Sequence, residues 1–188
     1  MRALLPDCAG RDVLDLACGT GRYGLMAAAR GARQVIGADN SPAMLRAGRL
    51  RWAVLAEMAA LPLASGSMDG ILCGLAVGHL PRLEPALAEM ARVLKVGGWA
   101  LISDVHPCLA AGGAQRTFTT PDGRTLAVEH TIHWYADYHR AAAAAGLRVE
   151  AILEPRLGGE ASGAQTADAM PVVIVYRLVK DRALPASS

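Results

Sequence analysis

Short apolar runs bounded by turn residues alternate along this chain with stretches of helical period. The pattern predicts strands near 12–16, 34–38, 52–56, 69–74, 99–104, 148–154 and 172–179, and helices near 22–30, 42–49, 82–94 and 134–145. Strand and helix in alternation indicate βαβ units around a mainly parallel sheet, an α/β architecture. Ser41-Pro42 reads as an N-cap followed by proline at the first helical position. Gly97-Gly98 and Gly146 read as helix stops. The last two strands are joined only by the loop from Pro155 to Met170, which predicts an antiparallel hairpin. Residues 105–131 carry turn signals at Gly112-Gly113 and Pro121-Asp122-Gly123 and read as an insertion after the fifth strand with a small hairpin in it. Residues 1–10 form a stub and 183–188 a tail, so one domain over 1–188 is expected.

Composition narrows the class. The chain has 188 residues, 53% of them hydrophobic, and a net charge of +2. No apolar run reaches the ~20 residues of a membrane span, and Met1 to Asp7 lacks the apolar stretch of a signal peptide. A cytoplasmic protein is expected, with no membrane partner. No Lys/Arg cluster and only 4% aromatic residues leave no footprint for nucleic acid. Cys8, Cys18, Cys73 and Cys108 form no C-x-x-C pair, so neither a disulfide framework nor a metal site is expected.

The chemistry concentrates in residues 12–24. The strand Asp12 to Leu16 runs into Gly19-Thr20-Gly21 and then a helix-forming stretch. Glycines there let a ligand touch the backbone at a helix N-terminus. Gly19, Gly21 and Gly24 also fit the dinucleotide pattern G-x-G-x-x-G, and Asp39, at the end of the next apolar run, can hold a ribose diol in either setting. Asp15 separates the two readings. It lies four residues before Gly19, where a carboxylate would repel a pyrophosphate and attract a cation. The acid therefore favours S-adenosylmethionine, which carries an ammonium and a sulfonium and no phosphate, over NAD.

Val13-Leu14-Asp15-Leu16-Ala17-Cys18-Gly19-Thr20-Gly21 resembles the first motif of class I S-adenosylmethionine-dependent methyltransferases. Gly37-Ala38-Asp39-Asn40-Ser41-Pro42-Ala43-Met44-Leu45 resembles their second motif. Glu57 to Leu63, Ser67 to Ile71 and Arg92 to Gly98 resemble three later ones, in order. Glu57 stands where Asp is commoner, Leu63 replaces Phe and Val96 replaces Pro. The resemblance is to small-molecule enzymes akin to the ubiquinone/menaquinone-pathway methyltransferases. It implies a Rossmann-like doubly wound sheet of seven strands, mostly parallel, with a C-terminal antiparallel hairpin. It also implies the cofactor contacts. Asp15 faces the methionine ammonium, and Ala17, Gly19 and Gly21 form the loop. Asp39 holds the ribose, Asn40 packs on the adenine face, Glu57 and Met58 meet its amino group and ring, and Met44 is a further cofactor-binding residue. Leu75 and His79 lie beside the methyl donor, with helix capping the alternative for His79.

Relatives carry N-terminal helices that cap the site. Here the first strand starts at residue 12, which leaves an open pocket, a homodimer or partner chain over that side, a roof made by 105–131, or a misassigned start. The acceptor is expected to be a small organic molecule in a pocket lined by Leu75, Val77, Leu109, Trp134 and Tyr135. His106 and His133 are the candidate general bases, His133 within a stretch similar to the H-S-x-x-D-Y of relatives. His130-x-x-His133 completes no known metal pattern. Three other functions stay open: an NAD-dependent oxidoreductase, a non-catalytic or partner-dependent binding subunit, and an S-adenosylmethionine-binding enzyme of another reaction type.

Overall fold

The apolar runs become the strands of one sheet. A computed structural model describes residues 1–113, 117–120, 122–156 and 170–181. The elements are β1 (Asp12–Leu16), α1 (Arg22–Ala28), β2 (Gln34–Asp39), α2 (Pro42–Ala47), β3 (Trp52–Leu55), β4 (Met68–Gly74), α3 (Glu84–Val93), β5 (Leu94–Val105), α4 (Pro107–Ala111), β6 (Thr117–Thr119), β7 (Thr125–Ala127), α5 (Tyr135–Ala144), β8 (Leu147–Leu153) and β9 (Val173–Lys180). Single 3₁₀ turns lie at Arg2–Leu4 and Val77–His79. The seven-stranded sheet has the order β3-β2-β1-β4-β5-β9-β8. Its first five strands are parallel, and β9 runs antiparallel to both β5 and β8. This is the expected mostly parallel sheet with an antiparallel C-terminal pair. The residues between 156 and 170 and the 183–188 tail lie outside the described residues.

Alternation along the central strands sorts their side chains into two cores. Leu14, Leu16, Ile71, Ala100, Ile102 and Tyr176 pack on the side of α3 and α5. Val13, Leu72, Trp99, Leu101 and Val175 pack with Ala27 of α1 and with Leu4 and Leu5 from the N-terminal turn. Burial on both faces is why these strands read as continuous apolar runs.

Two boundaries differ from expectation for a physical reason. Helix α3 ends at Val93 and β5 starts at Leu94, five residues before the expected 99. Gly97-Gly98 therefore lies inside the strand and is not a helix stop. The pairing with β4 jumps from Leu94–Met68 to Trp99–Gly70. The extra β5 residues bulge, and Gly97 takes the left-handed φ of 78° that the bulge needs. The α3 terminus is satisfied from elsewhere: Lys180 Nζ of β9 donates to the carbonyls of Ala91 (2.6 Å) and Leu94 (2.8 Å). The short helix α4 was not expected. It starts as α2 does, with a capping side chain followed by proline; Nδ1 of His106 accepts the Cys108 N–H at 3.2 Å. In the insertion, β6 and β7 form the small antiparallel hairpin.

Candidate cofactor and acceptor site

The strand order β2-β1-β4 brings three C-terminal strand ends side by side, and the loops leaving them build the site. Gly19 and Gly21 are left-handed, with φ of 53° and 90°, and Gly21 is the N-cap of α1. Two non-glycine residues share that region: Ala17 after β1 (φ 52°) and Leu75 after β4 (φ 56°). Such a conformation costs roughly 1–2 kcal/mol for a residue with a Cβ. Each is held by a backbone bond, Cys18 N–H to the Ala38 carbonyl (3.1 Å) and Leu75 N–H to that of Ser103 (2.7 Å). Strain concentrated at adjacent strand ends marks a functional edge.

Two carboxylates occupy that edge. Asp39 is 8% exposed; its Oδ2 accepts the Gly19 N–H at 2.7 Å and its Oδ1 the Ser41 N–H at 2.8 Å. The acid thus fixes the glycine loop to the end of β2, and each oxygen keeps a lone pair. Asp15 is 1% exposed. Its Oδ2 accepts the Gly24 N–H of the first turn of α1 at 2.6 Å, while Oδ1 is enclosed with no hydrogen-bond partner. Burial raises the Asp15 carboxyl to about 7, opposed by the Gly24 N–H and assisted by the charge of Asp39. Burial also pushes the Cys18 thiol up to about 12, which makes it an inert packing residue.

At the opposite end of the strands the acids are paired. Asp12 meets Arg33 and Lys95, and Asp69 meets Lys95 (2.9 Å) and Arg11 (3.7 Å). The Arg33 guanidinium holds the Asp12 carboxyl below its ordinary value. Among the described residues, no Lys or Arg pairs with Asp15, Asp39 or Asp104 of the C-terminal edge. Among the described residues, the buried acids without a Lys or Arg partner therefore stand at that edge, and those of the opposite edge are ion-paired.

The remaining expected contacts surround this edge. Asn40 Nδ2 donates to both oxygens of Glu57 at 3.3 Å on the exposed side. Met44 is 49% exposed on α2, and Met58 is half-buried against the core. His79 is exposed, and its Nδ1 donates to the Glu129 carbonyl at 3.1 Å. Leu50, which the sequence did not single out, packs beneath the loop: a Cβ on Gly21 would lie 2.7 Å from its Cγ.

A cavity of about 360 Å³ opens between α1, the ends of β4 and β5, and β9, lined among others by Arg22, Tyr23, Leu75, Ser103 and Val175. Of the five apolar residues expected to line the acceptor pocket, only Leu75 does so. Val77 is fully buried in the core, and Tyr135 bonds to Glu154.

The two candidate bases are engaged in holding the fold. Because Nδ1 of His106 accepts a backbone N–H, its proton sits on Nε2, which lies 2.9 Å from both Tyr135 Oη and Glu154 Oε1. Both ring nitrogens thus have partners within the fold, and His106 is 2% exposed. His133 donates Nε2–H to the Leu80 carbonyl at 2.9 Å and stands edge-on to Tyr138. Among the described residues no group of histidines, cysteines or acids is arranged to hold a metal ion, and no helix is long and apolar enough to cross a membrane.

Residues 14–102 match the family model described as a methyltransferase domain. That segment, just under half of the chain, is a class I S-adenosylmethionine-dependent methyltransferase domain. It is 38% identical over 101 residues to a demethylmenaquinone methyltransferase of Symbiobacterium thermophilum, a match covering 47% of this chain and 40% of that protein. It is also 38% identical over 110 residues to a malonyl-(acyl-carrier protein) O-methyltransferase of Serratia marcescens, covering 56% and 41%. The matched segments thus span less than half the length of these curated relatives. A solved S-adenosylmethionine-dependent methyltransferase from Mesorhizobium loti shares the fold at a TM-score of 0.78 and 21% identity, over 95% of this chain and 94% of that one. The cofactor of this family is S-adenosylmethionine. The acidic, glycine-lined edge of this methyltransferase domain fits it: the orphaned Asp15 Oδ1 and the free lone pairs of Asp39 suit a ligand with cationic groups and a ribose.

Proposed function

We propose that this methyltransferase domain transfers the methyl group of S-adenosylmethionine to a small organic acceptor. One observation carries the reading: buried acids without a Lys or Arg partner stand at the C-terminal edge of the sheet, while those at the other edge are ion-paired. A buried unpaired carboxylate is costly unless it is neutralised or meets a cation. The sulfonium and ammonium of the cofactor supply that charge; the pyrophosphate of a dinucleotide would worsen the repulsion. Asp39 accepts from the ribose hydroxyls, Gly19 and Gly21 admit the backbone to the ligand, and Ala17 and Leu75 flank its methionine end. Asn40, Glu57, Met44 and Met58 surround the adenine, and His79 stands at the rim. Asp15 acts through its field and by fixing the first turn of α1.

The donor needs no acid catalyst, since its leaving group is already a sulfonium. The domain's task is alignment of donor and acceptor, which can supply roughly 7–11 kcal/mol. The cavity beside Leu75 and Ser103 is where we seat the acceptor. The test is Asp39→Ala. Titration with S-adenosylhomocysteine should show affinity lowered by about 1.5–3 kcal/mol, the range for hydrogen bonds to a charged group. Unchanged affinity would remove Asp39 from the ribose.

A further inference from the structure

We propose that the acceptor is a small organic anion, held by Arg22 and Arg2 at the mouth of the cavity and presenting its nucleophilic end to Ser103 on the floor. The inference rests on the methyltransferase reading and names the class of its acceptor. The cavity lies on the α1 face of the sheet, which takes Trp99, Leu101 and Ser103 from every second position of β5. Its wall is apolar, made by Tyr23 and Met26 of α1 and by Val173 and Val175 of β9. A volume of about 360 Å³ is at the small end of the range for organic ligands and suits a compact ring system.

The floor holds an unused donor. Ser103 is 2% exposed, and its Oγ is enclosed with no hydrogen-bond partner. Its backbone is fixed on both sides, paired with Gly74 of β4 and Val175 of β9, and its carbonyl accepts the Leu75 N–H at 2.7 Å. The strand therefore cannot carry the hydroxyl out of the cavity, and a buried hydroxyl left unpaired is costly. A polar atom of a bound molecule satisfies it. That atom then lies beside Leu75, which the reading above puts at the methionine end of the cofactor.

The mouth carries charge of one sign. Arg2 and Arg22 are exposed and line the cavity, and no acid lines it among the described residues. Neither guanidinium is paired with a carboxylate of the described residues. Arg22 is held in place, its guanidinium carbon 5.8 Å from the centroid of the Tyr23 ring. That ring rests on the end of β4, where a Cβ on Gly74 would collide with it. A guanidinium over a ring keeps its in-plane N–H groups for a carboxylate or phosphate. The site thus separates its charges: Asp15 and Asp39 face the cationic cofactor, and the arginines face the anionic acceptor.

The test is NMR titration of the full chain with probes of one shape: 6-hydroxy-2-naphthoate, its neutral amide, and 2-naphthoate, which lacks the hydroxyl. The hydroxy acid should bind about tenfold more tightly than its amide, as expected for hydrogen bonds to a charged group at an exposed rim. Salt should weaken that preference, Arg22→Gln should remove it and Arg2→Gln should reduce it. Both arginines are exposed, so these variants keep the fold. Ser103→Ala should erase the advantage of the hydroxy acid over 2-naphthoate. 2-Naphthyl phosphate, run beside 2-naphthoate, tells which anionic group the guanidiniums hold better, and tighter binding of either than of the amide supports the proposal. Failure of the anions to bind, equal affinity for acid and amide, or a preference that survives in Arg22→Gln would overturn it. S-adenosylhomocysteine is titrated into the same proteins. A greater loss for it than for the hydroxy acid in Arg22→Gln would put the guanidinium on the cofactor's own carboxylate and overturn the acceptor assignment. Its binding to the unchanged chain tests the cofactor reading separately, because the probes report on the cavity whether or not the cofactor binds.

Discussion

Asp15→Asn should make the protein more stable at pH 8 while weakening its hold on the cofactor. The Asp15 carboxyl titrates at about 7 in the fold and at an ordinary value of 3.8 in the unfolded chain. Its folded value is raised, so folding takes up a proton between those two pH values. The Asp15 contribution to stability is most favourable below pH 4, declines as pH rises towards 7 and is flat above. Raising a carboxyl's titration by one pH unit corresponds to about 1.4 kcal/mol, so the difference at pH 8 has an upper figure of about 4 kcal/mol. Asparagine is neutral throughout, and its amide oxygen can still accept the Gly24 N–H that Asp15 Oδ2 accepts at 2.6 Å. Near pH 4 the two proteins should therefore be nearly equal in stability. Urea denaturation at pH 4, 6 and 8, with equal m-values required, reads the difference. A gain that grows with pH supports the burial of an unpaired charge. Equal stability at pH 8, or a variant that loses stability there, would refute the reasoning. Affinity for S-adenosylhomocysteine should fall in the same variant, because the charge that destabilises the apo fold is the one that attracts the ligand.

Ala17→Gly, which suits a φ of 52°, should stabilise the fold by about 1 kcal/mol in chemical denaturation. The same change at Leu75 (φ 56°) also removes a side chain that lines the cavity, so it should give a smaller gain or a net loss.

The sequence carried the framework because its signals were local. Val13-Leu14-Asp15-Leu16 is a buried central strand, and its apolar run marks β1 without help from the fold. Ser41-Pro42 starts α2 through a cap that spans only three residues, the Ser41 hydroxyl accepting the Met44 N–H at 3.3 Å. The start of β5 was not legible, since Leu94-Lys95-Val96 continues the amphipathic period of α3 and only the bulge opposite Gly70 turns it into strand. For His106 the sequence showed only its place after β5, which suggests a base; the tertiary contact of its Nε2 with Glu154, 48 residues away, was not legible. The meeting of Arg22 and Ser103 at one cavity had no sequence signature at all, because separate segments come together there.

The most direct measurement is calorimetric titration of the purified chain with S-adenosylhomocysteine, with NAD in parallel. The uncompensated acids of the C-terminal edge predict micromolar binding of S-adenosylhomocysteine and none of NAD. Binding of NAD alone would contradict the account.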